Sequence, residues 1–338
     1  MKAIDLAFGV LLSASYLALA SESRTFDRTL HVTGEVDLDV TSNPGGVTIT
    51  AGSAASVRVH AVIRPLYGAV DLGLADANIR ALEQNPPVEQ LGNRIRVGYV
   101  RNPENLRGVS IHFDVETPRE TRVHAKTSSG GIRIDGIAGP VFADSSSGRI
   151  EINNVAAEIE VKNSSGAVIV RKPGGHVSAR NSSGGIQVVS AQGSVDLETT
   201  SGRTEVSEVR GDVRSRTHSG SISIDNATGA VTANNHSGSI DVFQLAGSVQ
   251  AETGSGAIRI SQISPATITA RTDSGPIKVN LPNGRGYEID AQSNSGKVSG
   301  PITHGAERIA RPHHLKGQIG EGGPLVDLHT RSSRISVN

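Results

Sequence analysis

A Ser-Gly pair returns along the chain at a nearly constant spacing, and this period is the strongest constraint on the fold. The first seven intervals between the glycines are 18 residues each, and the last two are 19 and 21. The glycines are Gly130, Gly148, Gly166, Gly184, Gly202, Gly220, Gly238, Gly256, Gly275 and Gly296. Such a period predicts a repeat architecture in which each unit packs only against its neighbours.

Apolar and polar residues alternate after each Ser-Gly pair. The second and fourth residues after the glycine are Ile or Val in most units, as in Ile222 and Ile224 after Gly220. This alternation is typical of a strand with one buried face. The predicted core residues are Ile132, Ile134, Ile150, Ile152, Ile186, Val188, Ile222, Ile224, Ile240, Val242, Ile258 and Ile260.

A second motif, with a Val two residues after a glycine, begins nine residues after several of the pairs, as at Gly175, Gly193 and Gly229. Each unit therefore contains two short strands and two tight turns. One unit cannot bury its apolar face alone, whereas units stacked about 4.8 Å apart can. The sequence predicts an all-β fold, a parallel β-solenoid (a single-stranded β-helix) of 18-residue coils with a β-rich N-terminal cap.

The Ser-Gly pairs are predicted to form corners of the coils, because glycine adopts positive φ angles where the chain reverses. A serine that recurs in every coil has no dedicated base, so we interpret it as a turn residue and not as a nucleophile. The predicted corner residues are Ser129, Gly130, Ser147, Gly148, Ser165, Gly166, Ser183, Gly184, Ser201, Gly202, Ser219, Gly220, Ser237, Gly238, Ser255, Gly256, Ser274 and Gly275.

The sequence divides into four predicted parts. Residues 1–20 are typical of a secretory signal peptide, with Lys2 before an apolar stretch and a small-residue cleavage site ending at Ala20. The alternative is an uncleaved membrane anchor. Residues 21–125 are predicted to form the cap, with one short helix, residues 126–300 the solenoid, and residues 301–338 a C-terminal loop and the last coil. The signal peptide predicts export to the periplasm, the cell surface or the outside of the cell, and no later segment is predicted to cross a membrane.

Composition excludes several classes of function. The formal net charge is zero, so a basic surface for nucleic acid is not expected. The chain has no Cys, which excludes disulfides and thiolate metal sites. Aromatic residues make up 3% of the chain and Trp is absent, which removes the usual stacking platforms for sugars.

His218 and His236 occupy the same position in successive coils and are the candidates for a shared metal ion. The neighbouring coils offer Thr200 and Gly254 there, so no third ligand is evident and we predict no metal. Calcium-binding β-rolls need Asp in each turn. The Ser-Gly turns of this chain carry Ser, Thr or Asn instead, with Asp273 as the one exception. The carboxylates show no clear catalytic pair. We therefore predict no cofactor and no enzymatic activity.

Four motifs resemble a known family. They are V-x-x-x-P-G-G-V-T-I-T at Val40–Thr50, V-x-T-P-R-E-T-R-V-H-A-K-T-S-S-G-G-I at Val115–Ile132, the T/N-x-S-G-x-I-x-V coils, and the ending with L-P-N-G-R-G and G-E-G-G-P-L-V-D-L-H-T-R-S-S. The chain resembles the bacterial "putative adhesin" family of unknown function, the DUF4097-type β-strand repeat proteins. The resemblance implies an exported or envelope-associated β-solenoid, with no catalytic residues to carry over.

These observations lead to one hypothesis and two alternatives. The hypothesis is an exported, non-enzymatic, adhesin-like binding or scaffold module of the cell envelope, whose partner is an unidentified protein or glycan. The first alternative is a structural polymer that self-associates end to end. The second is a polysaccharide-active enzyme on a β-helix, for which loss of activity on changing one carboxylate would be the evidence.

Overall fold

The computed structural model describes residues 23–66, 72–302 and 304–338. Within these residues the chain forms two long sheets, sheet A with 15 strands and sheet B with 16. The predicted signal peptide lies outside the described residues and stays a prediction. Among the residues described, no helix is long and apolar enough to cross a membrane.

Each regular coil contributes one strand to sheet B and, after the Ser-Gly corner, one strand to sheet A. Every strand lies parallel to its counterpart in the next coil, so the predicted parallel β-solenoid is confirmed. The sheet B strands are β8 (Thr121–Thr127), β10 (Val141–Ser147), β12 (Ile159–Ser165), β14 (Val177–Ser183), β16 (Val195–Ser201), β18 (Val213–Ser219), β20 (Val231–Ser237), β22 (Val249–Ser255) and β24 (Ile268–Ser274). The sheet A strands are β9 (Ile132–Asp135), β11 (Ile150–Asn153), β13 (Val168–Arg171), β15 (Ile186–Val189), β17 (Thr204–Val209), β19 (Ile222–Ala227), β21 (Ile240–Leu245), β23 (Ile258–Gln262) and β25 (Ile277–Asn280).

The core is a continuous apolar column between the two sheets. All twelve predicted core residues are buried there. Ile222 is fully buried and lies in register between Thr204 and Ile240 of the neighbouring coils. Burial of one such Ile stabilises the fold by about 1.5–3 kcal/mol. A coil is therefore stable only when both of its neighbours cover it.

The N-terminal region contains a coil of its own as well as a cap. Strands β2 and β3 stack in parallel on β8 and β9, so the solenoid begins inside the range predicted as cap. Strands β7, β4 and β1 extend sheet A beyond this coil, β6 and β5 extend sheet B, and α1 packs against β4 and β1. The elements are β1 (Arg24–His31), β2 (Val36–Ser42), β3 (Val47–Ala51), β4 (Ser56–Pro65), α1 (Leu72–Gln84), β5 (Val88–Leu91), β6 (Arg94–Val97), a 3-10 turn (Pro103–Leu106) and β7 (Val109–Thr117).

At the C-terminal end the coils do not stack in sequence order. The elements are β26 (Tyr287–Ser293), β27 (Val298–Ser299), β28 (His304–Arg311), β29 (His314–Ile319), β30 (Leu325–Thr330) and β31 (Ile335–Val337). Strand β30 lies between β24 and β26, and β31 lies between β25 and β27. We call β30 and β31 the inserted coil.

This arrangement corrects the predicted C-terminal part in two ways. The coil that comes last in the sequence is the penultimate coil of the stack, and the preceding segment forms an antiparallel hairpin, β28–β29, along β26. The physical reason lies in the repeat itself. Val326, Leu328 and Thr330 face inward just as Ile268, Ala270 and Thr272 do. Coils that share the same pattern of inward-facing residues fit equally well at several places in the stack. The pattern therefore predicts that a segment forms a coil, but not where in the stack that coil lies.

Candidate binding groove along the Ser-Gly corners

The Ser-Gly corners stack backbone against backbone. The nine corner glycines from Gly130 to Gly275 have φ between 109° and 155°. A Cβ added at Gly220 would lie 1.9 Å from the carbonyl oxygen of Gly202, and the Gly220 amide donates to the Ser237 carbonyl at 3.1 Å. Only glycine allows this approach. The corners therefore form a rigid edge along the rod.

Small polar residues two positions before each corner serine tie the coils together. The Nδ2 atom of Asn181 donates to the Gly166 carbonyl of the preceding coil at 2.8 Å, and Asn235 does the same to Gly220 at 2.9 Å. Thr253 donates through Oγ1 to Gly238 at 3.1 Å. These side chains are almost fully buried. They form the floor beneath the outward-facing residues on either side of them.

The outward-facing residues on either side of this floor line a shallow groove of about 930 Å³, which we call the corner groove. It runs over seven coils, or about 29 Å at the usual strand spacing. One wall contains Glu198, Arg216, Asn234, Glu252, Arg271 and His329, and the other contains Thr200, His218, His236, Gly254, Asp273 and Arg331. The inserted coil therefore supplies part of both walls.

Ion pairs neutralise most of the charge in the corner groove. Glu198 pairs with Arg180 at 3.3 Å, Glu252 with Arg271 at 3.6 Å and Asp273 with Arg331 at 3.2 Å. Arg180 and Glu198 lie in register in successive coils, so this pair runs along the rod. Exposed pairs of this kind contribute little to stability. They leave the groove polar but nearly neutral.

Arg216 lies in register with Glu198 but pairs with a different carboxylate. Its guanidinium lies 4.0 Å from a carboxylate oxygen of Asp196, two residues before Glu198 on the same strand of the neighbouring coil.

His218 and His236 meet in the corner groove, where their rings stack with centroids 4.7 Å apart and planes within 2°. The lone pairs of imidazole nitrogens lie in the ring plane, so two parallel rings do not direct them at one ion. Within the described residues, no group of three His, Asp or Glu side chains could hold a metal. The pair is an exposed aromatic surface, and the empty position at Gly254 leaves a notch beside His236.

The left-handed backbone conformation at the opposite corner of the coils was not predicted. Six non-glycine residues there adopt left-handed φ angles between 51° and 58°, again 18 residues apart. They are Asn154, Lys172, Ser190, Glu208, Asn226 and Gln244. Their side chains share no chemistry, so no sequence signal marks this corner apart from its phase within the period.

The first coil, in contrast, did carry a signal. The segment at Val36–Ile49 repeats the inward pattern of the later coils, but Pro44 stands before Gly45 where they have Ser. A search for Ser-Gly pairs alone passes over it.

Comparison with family models confirms the resemblance over 164 of the 338 residues, just under half of the chain. The family model Toastrack DUF4097 matches residues 175–338, which include the corner groove and the inserted coil. A solved structure of a "putative cell adhesion protein" from Clostridium sporogenes matches at 10% identity and a TM-score of 0.24, covering 94% of this chain and 99% of that chain. No curated protein matches the chain.

Proposed function

We propose that this chain is an exported, non-enzymatic binding module of the bacterial cell envelope, supported by the match of residues 175–338 to the Toastrack DUF4097 family model and by the β-solenoid fold. Its ligand is a linear glycan of low charge, bound along the corner groove. The observation that carries the proposal is the groove itself, which is open and continuous over seven coils.

The notch at Gly254 provides the best subsite for one sugar ring. The column of stacked rings ends at His236, so one imidazole face is directed towards the next coil, where Gly254 has no side chain. The Asp273 carboxylate and the Arg331 guanidinium, paired at 3.2 Å, lie on the far side and can accept and donate hydrogen bonds to hydroxyl groups. An apolar ring face beside a few fixed polar groups is the usual composition of a small-molecule site.

The carboxylates of the corner groove favour binding over hydrolysis. A glycosidase needs two carboxyl groups at a set separation, one of them kept protonated by apolar surroundings. Glu198 and Glu252 stand three coils apart, about 14 Å at the usual spacing. Both are paired with arginine, as is Asp273. No pair in the groove has the environment of a general acid and its partner.

The ends of the rod favour a single binding unit over a filament. An open coil end is an unpaired sheet edge and invites association. At the N-terminal end further strands cover the first coil on both sheets, β7–β4–β1 on sheet A and β6–β5 on sheet B, and the outer ones, β4, β1 and β5, are antiparallel to their neighbours. The β28–β29 hairpin covers sheet B at the other end, and β27, which ends sheet A, is only two residues long.

A glycan array with the chain from Ser21 onward tests the proposed ligand. We expect saturable binding to a neutral or weakly charged linear glycan. The variant His218→Ala/His236→Ala, which removes both imidazole rings from the corner groove, should weaken binding at least tenfold. The matched control His124→Ala/His176→Ala changes two histidines outside the corner groove and should bind as the wild type does.

Two results would contradict this proposal. One is equal loss of binding in the control variant. The other is release of shortened glycan products that stops when one groove carboxylate is changed, since that would make the protein an enzyme. Export has its own test, which is fractionation of cells expressing the full chain. Recovery in the cytoplasmic fraction with an intact N-terminus would refute the proposed location.

A further inference from the structure

A second surface, on the outer face of sheet A near the C-terminal end, collects positive charge. Lys278, Lys297 and Arg334 are exposed there, beside Arg259. They surround a groove of about 500 Å³, which we call the basic groove. Arg259 is neutralised by Asp241 at 2.8 Å. Within the described residues, Lys278, Lys297 and Arg334 form no ion pair.

Strand pairing brings these three cations together from distant parts of the sequence. The Ile335 amide donates to the Lys297 carbonyl at 3.0 Å, and the Ile277 amide donates to the Arg334 carbonyl at 3.1 Å. Arg334 therefore sits between Lys297 and Pro276 in successive coils. Lys278 projects from the same coil as Pro276, so the three charges lie within about 10 Å along the rod. The inserted coil supplies Arg334 and completes the cluster.

The arrangement is costly for the fold and differs from the rest of sheet A. Elsewhere on this face, in-register neighbours carry opposite charges, as in Arg133 with Glu151 at 3.2 Å and Arg259 with Asp241. Lys297 and Arg334 are in-register neighbours of like charge, which destabilises a sheet. The main-chain oxygen of Asn338, which also lines the groove, accepts a hydrogen bond from the Leu281 amide at 2.9 Å. An anion from outside the chain would relieve the repulsion.

We propose that the basic groove binds a carboxylate-bearing polysaccharide, an acidic glycan with charges repeated along an extended chain. The small side chains of Ala257 and Pro276 form a depression in which such a chain can lie, with Arg334 able to bind a carboxylate through two parallel hydrogen bonds. No aromatic side chain lines the groove, so it offers nothing on which a nucleobase could stack. This site is separate from the corner groove and takes a different class of ligand, so it does not depend on the proposed function.

The test is titration of the chain from Ser21 onward with polygalacturonate oligomers at several salt concentrations. We expect saturable binding that weakens as salt rises, because ion contacts dominate it. Lys297→Gln/Arg334→Gln should lose at least tenfold in affinity, and the charge-preserving Lys297→Arg/Arg334→Lys should retain binding within about threefold. The control Arg149→Gln/Arg210→Gln removes the same charge from exposed sites elsewhere, and Arg149 occupies the position of Arg334 in a distant coil. It should bind within twofold of wild type.

Several outcomes overturn the inference. They are absence of binding to polygalacturonate, equal loss in the control variant, and tighter binding to single-stranded DNA or to vesicles containing anionic lipid than to the acidic glycan. Thermal melting of each variant distinguishes lost binding from lost folding. Because the corner groove keeps all its residues in these variants, its neutral-glycan binding reports independently on that site.

Discussion

The middle of the solenoid and its C-terminal end are built from the same coil but ordered by different rules. In the middle, Ile222 packs beside Ile240 of the coil that follows in sequence. At the end, Ile277 packs beside Ile335, and all four residues are fully buried. Local packing is thus the same in both regions. The difference teaches that the repeat determines what each coil buries, whereas the connecting segments determine which coil is its neighbour.

The largest effect that separates the two regions should come from a charge in the core. We expect Ile222→Asp to destabilise the fold by more than about 4 kcal/mol, because an unpaired carboxylate would lie between two covered coils. Val298→Asp, in the last strand of sheet A, should cost at most half as much, since Val298 is 6% exposed and has a partner on one side only. Urea denaturation followed by circular dichroism measures both. A wild-type melting curve for Ile222→Asp would show that the proposed register is wrong.

The next largest loss of stability should come from substitutions that disturb the close packing of one corner glycine on the next. Gly220 and Gly284 both have positive φ, but a Cβ at Gly220 meets a carbonyl oxygen whereas one at Gly284 meets nothing within 4 Å. Gly220→Ala should lose about 3 kcal/mol and Gly284→Ala about 1 kcal/mol, the cost of the backbone conformation alone. Thermal melting compares the two variants. Equal losses would mean that the corners are not packed as tightly as described here.

These two predictions concern parts of the fold that the sequence predicts to different degrees. The alternation at Ile222 and Ile224 and the phase of the Ser-Gly pairs were sufficient for the strands, the corners and the inward faces. The order of the C-terminal coils was not predictable, because Val326 and Ile289 present the same pattern to Ile268. Which of them pairs with Ile268 depends on chain connections that no residue marks.

The candidate sites also divide into features that the repeat predicts and features that depend on the order of the C-terminal coils. His218 and His236 were predicted to occupy the same position in successive coils, and their rings stack in the structure. The 18-residue period alone is enough to predict that two such residues are neighbours. The groove around them was not predicted, since His329 and Arg331 enter it from the inserted coil. The basic groove was missed for the same reason.

A smaller effect is expected at the end of the rod, at Tyr287. This side chain is buried, and its hydroxyl donates to Oε1 of Gln262 at 3.4 Å. Burial raises the pKa of Tyr287 above its ordinary value of 10.0, and Arg285 partly opposes this. Its contribution to stability is therefore present below pH 10 and is lost as the pH rises above that value.

Tyr287→Phe should cost about 1 kcal/mol at pH 7 and should remove this alkaline loss. Unfolding free energies measured at intervals from pH 7 to pH 11 test it. The gap between the two proteins should narrow above pH 10, and a gap that widens there would contradict the assignment.

The smallest effect concerns the left-handed corner of the middle coils. Lys172 has φ of 51°, which costs a non-glycine residue about 1 kcal/mol. Lys172→Gly should therefore stabilise the protein by up to about 1 kcal/mol, and Lys172→Val should destabilise it because a β-branched residue resists this conformation. Differential scanning calorimetry resolves the two shifts. The same direction of change in both variants would contradict the geometry of this corner.

The central claim is that the inserted coil separates β24 from β26, and engineered disulfides test it most directly because the chain has no Cys. Thr269 lies in register with Asp327 of the inserted coil, and Asp327 in turn with Asp290. Neighbouring strands, about 4.8 Å apart, are within reach of a disulfide, whereas strands two coils apart, at about 9.6 Å, are not. We predict that Thr269→Cys/Asp327→Cys forms a bond on mild oxidation and that Thr269→Cys/Asp290→Cys does not. The opposite result would mean that the coils stack in sequence order and that neither groove is completed by the inserted coil.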